Sequence, residues 1–334
     1  MGKGAFITRS LFIAWGMFIL LLLFLIAPIL NNITSFSTVT ASFLSLNTIF
    51  LSILIEALPF VLIGVLIAGV IQIFLTEEHI RKWIPKNKFL AVIMGCFVGA
   101  LFPACECGIV PIVRRLITKG VPLPAAIGFM LTGPLINPIV IVSTYMAFGN
   151  NLEIAGYRMI LGFILAIIIA LLVSLFFQGN QFKRELLHAK DVVKTNKEPF
   201  LKKLHSMLKH AIDEFFDMGK YLIIGAFLAA FVQTYMSTKA LVAIGSDLSS
   251  SLLVMMGLAF ILSLCSEADA FIGASFSSIF PTPAILSFLI FGPMIDLKNT
   301  MMLLGVFRVK FVIWLFIFIT AVVYFSLFLL AEIL

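Results

Sequence analysis

Two thiols flank a carboxylate in Phe102-Pro103-Ala104-Cys105-Glu106-Cys107-Gly108, and a looser copy, Cys265-Ser266-Glu267-Ala268-Asp269, lies far along the chain. Both interrupt otherwise apolar sequence. Thiolates are soft ligands that favour zinc, copper(I) and thiophilic metalloids over magnesium or calcium. Cys105 and Cys107, with Cys265 as a third sulfur, therefore read as ligands for a soft metal ion, carried as substrate. Glu106, Glu267 and Asp269 place carboxyls at the same substrate site. Carboxyls at bilayer depth are costly unless paired, protonated or wetted, and proton-coupled carriers use them, so Glu106 and Glu267 also read as proton or ion couplers. The alternative for the cysteines is small apolar packing, above all for the lone Cys96.

The elements that must position these groups are set by composition. Of 334 residues, 62% are hydrophobic and 12% charged, with a mean hydropathy of +1.16, which describes a polytopic helical membrane protein. The start is basic (Lys3, Arg9) and its apolar run, Leu11 to Leu30, is too long for a signal-peptide core, so a retained first helix is expected. Four cysteines, all inside apolar segments, argue against a secreted disulfide framework. The net charge of +7 is that of cytoplasmic loops, and no nucleic-acid or nucleotide-binding motif accompanies it. The partners expected are membrane lipids, a small solute or metal or metalloid substrate, and a partner subunit or a second copy; no resident cofactor is called for.

Apolar runs follow at Leu46 to Leu75, Phe89 to Val113, Pro122 to Phe148, Ile154 to Phe177, Ala211 to Met236, Leu252 to Phe280, Pro283 to Val306 and Phe311 to Leu330. Basic loops stay in the cytoplasm. All of them do so, with a cytoplasmic N-terminus, only if 89–113 enters and returns on the same side as a re-entrant hairpin with Pro103 to Gly108 near its tip. The same argument makes 250–280 a hairpin entering from outside, and the two tips are expected to approach each other near the membrane centre. The reading against this is that each is an ordinary helix and one loop breaks the rule. Pro199 to Tyr221 carries apolar residues at helical spacing opposite lysines and reads as an interfacial helix leading into the next span.

An internal repeat supports the topology. Phe60 to Gln72 aligns without gaps on Tyr221 to Gln233, the same offset pairs Glu56 with Asp217 and Glu106 with Glu267, and Gly133-Pro134-Leu-Ile-Asn137 meets Gly292-Pro293-Met-Ile-Asp296. The expected fold is all-α, with two inverted-topology repeats, each holding a re-entrant hairpin and a Gly-Pro-broken helix. Its parts are an N-terminal helix and external loop (1–44), a first repeat (45–178), a basic linker (179–210) and a second repeat (211–334). Interruptions at matched places of two halves point to a binding site. Asn137 and Asp296, one turn beyond each break, join the substrate residues, and Glu56 and Asp217 read as couplers or interfacial anchors.

Phe102 to Gly108, Arg114-Arg115-Leu, Gly120-Val-Pro-Leu-Pro124 and Leu131-Thr-Gly-Pro-Leu-Ile-Asn-Pro138 together resemble a bacterial predicted-permease family that includes ArsP-type organoarsenical efflux permeases. The resemblance spans nearly the whole chain after the first helix. It implies a multi-pass permease of the bacterial inner membrane, not an enzyme, and through the Thr-Gly-Pro element it adds Thr132 to the substrate site. Three functions stay open: a secondary transporter, a membrane thiol-disulfide oxidoreductase using Cys105 and Cys107, and a subunit of a larger permease complex.

Overall fold

The computed structural model describes residues 37–74, 84–102 apart from 86, 105–177, 179, 181–183, 200–235 and 247–331. The run Leu11 to Leu30, the residues Pro103 and Ala104 and most of the linker lie outside them. The first half contributes α1 (Ser37–Phe74), α2 (Lys88–Leu101), α3 (Glu106–Thr118), α4 (Leu123–Thr132), α5 (Pro138–Ala147) and α6 (Leu152–Phe176). The second contributes α7 (Phe200–Tyr235), α8 (Leu248–Leu262), α9 (Ser266–Ser275), α10 (Thr282–Met294), α11 (Leu297–Val306) and α12 (Val309–Leu330). Five stretches are long and apolar enough to cross a membrane: Ser42–Gln72, Leu152–Phe176, Met207–Tyr235, Thr282–Val306 and Val309–Leu330.

These helices have two apolar faces rather than one. On α12, Phe311, Leu315, Ile319 and Val323 are buried while Ile313, Trp314, Ile317 and Phe325 are exposed. In water that outer face would be polar; apolar residues all round mark a helix with lipid on one side and protein on the other. Helices α4 and α10 are buried along almost their whole length and touch each other at the centre.

Contact register fixes the directions. Thr132 Oγ1 donates to the Cys96 carbonyl at 2.8 Å, and Gly95 and Gly99 abut Ala125 and Phe129. Later residues of α2 thus meet later residues of α4, the two run parallel, and α3 carries the chain back between them. The second half repeats the pattern. Ser287 Oγ on α10 donates to the Leu252 carbonyl on α8 at 3.3 Å, and Gly292 abuts Ala259; Gly292 and Gly273 face Asp269 and Leu289, so α9 runs back against α10. Between halves, Phe50 stacks edge-on with Phe227 and Gly69 meets Met207, so α1 and α7 are antiparallel.

The chain breaks have local causes. The extended conformation of Phe102 after α2 is the one required before a proline. After Gly133-Pro134 the chain leaves the helix until Asn137, which caps α5 with bonds from Ile139 and Val140 amides at 2.7 and 3.2 Å. The second Gly-Pro behaves differently: Pro293 stays inside α10 and the break falls at Ile295 and Asp296, the latter capping α11. Pro293 removes one hydrogen bond without stopping the helix at once. The interfacial helix and the following span are also one element rather than two, because residues 200–218 contain no Gly or Pro and α7 continues through them.

The two long helices cover one flank. Gly64 of α1 crosses Gly108 of α3 so closely that a Cβ would overlap the Gly108 carbonyl, whereas its repeat partner Gly225 of α7 lies against Lys298 of α11. Helices α3 and α11 pack on each other there, and α9 packs on α5 on the opposite flank.

Candidate functional site: a buried charge cluster among helix ends

The two tips meet. Ser266 Oγ donates to Glu106 Oε1 at 2.6 Å, joining segments 160 residues apart. Helices α3 and α9 both begin here, with Cys105 and Cys265 in the capping position and no side-chain cap on their first amides. Uncapped helix starts keep N–H donors and the positive end of the helix dipole available to a ligand. Helix α11 starts nearby, since Ser263, held in the left-handed region at φ +47°, accepts hydrogen bonds from the Leu297 and Lys298 amides. A non-glycine residue in that region is uncommon and carries strain that the surrounding bonds must hold.

Five acidic and basic side chains are buried around this meeting point: Glu106, Arg158, Asp269, Asp296 and Lys298. Lys298 Nζ donates to the Ser263 carbonyl at 2.9 Å and stands 3.5 Å from Asp296 Oδ2. Arg158 donates to Thr144 Oγ1 at 2.6 Å and to the Ser266 carbonyl at 3.1 Å, tying α6 to α5 and to the start of α9. Asp296 accepts from the Asn299 amide as a helix cap. Asp269 has no hydrogen-bond partner for either carboxylate oxygen.

Glu106, Asp269 and Asp296 thus belong to the cluster, with Cys107 buried and Cys105 half-buried beside it. Cys265 is half-buried with Glu56 of α1 among the groups around it, which brings the α1 carboxyl to the same centre. Glu267 is half-buried on the first turn of α9. Asp217, matched to Glu56 by the repeat, is elsewhere: it pairs with Lys220 at 3.0 Å and is half-exposed. Thr132 spends its hydroxyl on the Cys96 and Gly128 carbonyls, and Asn137 spends its carbonyl oxygen on capping α5. Cys96 packs against Gly128, where a Cβ would lie 2.7 Å from its sulfur. Among the described residues no three His, Cys, Asp or Glu side chains converge to hold a metal ion, and the cysteines are free.

Sequence reasoning missed Arg158 and Lys298. Each is a lone cation inside a run read as membrane-spanning, which is itself a signal for function. Glu214 was missed as well; it binds Arg115 at 2.6 Å and Arg114 at 3.4 Å, closing the end of the molecule where Lys119 donates to the Gln72 carbonyl. Lys183 and Arg308 are at that end too, since their amides bond to the Val306 and Gln181 carbonyls and Lys183 stands over Tyr221, two turns from Glu214.

Comparison with known proteins points to a membrane permease. The family ArsP_1, described as "Predicted permease", matches residues 42–331. "UPF0718 protein YcgR" of Bacillus subtilis is 54% identical over 288 residues, 86% of this chain and 97% of that protein. The "Putative two-component membrane permease complex subunit" of Streptococcus mutans is 44% identical over 83% of this chain and 92% of its own length. "UPF0718 protein MJ0584" of Methanocaldococcus jannaschii is 26% identical over 42% of this chain and 39% of its own. No solved structure matches. The matched family is one of transporters and not an enzyme class, and its model covers almost all of the described helices: the chain belongs to the ArsP_1 family of predicted permeases.

Proposed function

We propose that the protein is a secondary transporter of the bacterial inner membrane, built from two inverted repeats whose re-entrant tips form the substrate site at the membrane centre. The observation that carries this reading is the Ser266–Glu106 contact between the two chemistry-bearing tips, amid uncapped helix starts. The antiparallel α1 and α7, and the matched parallel pairs α2 with α4 and α8 with α10, support the inversion. The end holding Arg114, Arg115, Lys119, Lys183 and Arg308 faces the cytoplasm, by the preference of basic residues for that side.

The cargo we propose is a thiophilic cation or trivalent arsenical, held by Cys105 and Cys107 as thiolates. Binding of a soft cation then displaces two thiol protons, of which the adjacent Glu106 carboxylate takes one and solvent the other, whereas a trivalent arsenical bearing two hydroxyls carries both thiol protons away as water. Proteoliposomes loaded with a panel of soft metal ions and arsenicals, with and without an imposed proton gradient, test it. The double variant Cys105→Ser, Cys107→Ser keeps side-chain size, so transport of a thiophilic cargo should fall at least about tenfold, as expected when a soft ligand is replaced by a hard one. Unchanged transport by that variant contradicts a thiol-bound cargo.

A second reading, as one subunit of a permease complex, has its own support. The α3–α11 flank is covered by α1 and α7, but among the described residues no such pair covers α5 and α9, where Ile139, Val142, Met146 and Phe271 are exposed. The Streptococcus mutans relative carries the name of a complex subunit. Purification from native membranes in mild detergent tests this reading: a stoichiometric membrane partner supports it, and a lone chain that transports in proteoliposomes contradicts it.

A further inference from the structure

The central cluster does not balance. Glu106, Asp269 and Asp296 are three buried carboxylates against two buried cations, Arg158 and Lys298. Lys298 is engaged with Asp296 and the Ser263 carbonyl, and Glu106 has the Ser266 hydroxyl. Asp269 is 1% exposed with both oxygens unpartnered. It faces Gly292, where a Cβ would lie 2.8 Å from Oδ2, so only a glycine in the second Gly-Pro pair lets α10 come this close to the carboxylate. Arg158 is 2% exposed with its Nε equally unpartnered, and no ion pair joins it to Asp269. Leaving a buried anion bare costs several kcal/mol, a large fraction of the net stability of a fold.

We infer that Asp269 is the site of a monovalent coupling cation, a proton or an alkali ion, bound between α9 and the Gly292 turn of α10. The inference rests on the transporter reading above and moves the coupling role from Glu267 to Asp269. The groups that face Asp269 are Arg158 from α6, Asp296 and Lys298 from the start of α11, and Glu267 from its own helix; the α10 residues Thr282–Met294 carry no charge. With the cation bound, the charges of the five buried side chains are balanced. When it leaves, Arg158 is the counter-charge at hand, and engaging it draws the guanidinium away from Thr144 and the Ser266 carbonyl. Release of the cation is thereby coupled to the contact between α6, α5 and the tip of α9.

Purified full-length protein in detergent, titrated from about pH 8.5 to about pH 5.5 in choline chloride and again in sodium chloride, is compared with Asp269→Asn. The expected result is that wild type takes up about one more proton per chain than the variant. A wild-type uptake that sodium suppresses, with no effect on the variant, identifies an alkali ion exchanging with the proton at this carboxylate. Identical traces for the two proteins in both salts overturn the inference. Should Asp269→Asn fail to fold, wild type treated with dicyclohexylcarbodiimide decides the matter, because that reagent modifies carboxyls that hold a proton in apolar surroundings. The peptide containing Asp269 should be modified at the acidic end and spared at the alkaline end, or spared by sodium; absence of modification under all conditions overturns the proposal. Neither readout needs a cargo, so a failure of the transporter reading is seen separately, as absent flux with Asp269 still binding its cation.

Discussion

At the scale of single residues, Asn137 and Asp296 show how one side chain can fix a break in a buried helix. Each accepts hydrogen bonds from the first turn of the helix that follows, and each is buried. Asn137→Leu removes the cap and should lower stability by about 1 kcal/mol, within the range for lost N-caps, whereas Asn137→Asp keeps the accepting oxygen. Thermal unfolding of the purified variants in detergent checks this; a stable Asn137→Leu protein shows that the cap is idle. Asp296→Asn keeps a capping oxygen but leaves Lys298 without its anion, so it should destabilise more than Asn137→Asp in the same assay. The chemistry-bearing tip residues were legible because cysteine and glutamate stand out against apolar sequence. Arg158 and Lys298 were equally visible but are single letters in long runs, and only their hydrogen bonds to Thr144, Ser266 and Ser263 tie them to the site. Asp217 shows the converse: a repeat offset makes two residues equivalent in sequence, and differing helix contacts in the two halves separate them in space.

At the scale of elements, the tips depend on helices that cross at glycine. A Cβ on Gly64 meets the backbone of Gly108 two residues beyond Glu106, and backbone cannot rotate away. Gly64→Ala should therefore destabilise by about 1–3 kcal/mol, the usual cost of overpacking, and push α1 off the start of α3. Gly156→Ala, with no atom within 4 Å of the added carbon, is the control and should leave unfolding temperature unchanged or slightly raised, as helix propensity favours Ala. Equal behaviour of the two variants contradicts the close crossing. Element positions were largely readable from apolar runs, prolines and matched motifs. Where α10 ends was not, because a proline costs a helix one bond and a clash without dictating the residue at which the chain departs. The unbroken α7 escaped for a similar reason: its polar and apolar parts differ in composition but share helix-forming residues.

At the scale of the whole molecule, two structures hold the halves together: the central cluster and the ion-paired end. Glu214 of α7 is buried and binds Arg114 and Arg115 of α3, so it links the second half to the first. Glu214→Gln should cost a few kcal/mol, as expected for removing one partner of a buried pair, and should open that end to reagents. Faster modification of Cys107 by a thiol reagent measures the opening, and an unchanged rate contradicts the lock. The overall topology is a proposal from loop charge and internal repetition, which the antiparallel α1 and α7 support; among the described residues, the asymmetric coverage of the two flanks by α1 and α7 had no signal in the sequence because lipid-facing and protein-facing surfaces are both apolar. The central claim is that each tip enters and leaves on one side, the two from opposite faces. Single cysteines at Lys88, Val121, Ser249 and Ser277, placed in a background with Cys96, Cys105, Cys107 and Cys265 replaced by Ser, are labelled in intact cells by a membrane-impermeant maleimide. The account predicts labelling at positions 249 and 277 and none at 88 and 121 until the cells are opened; labels that divide 88 from 121, or 249 from 277, would contradict it.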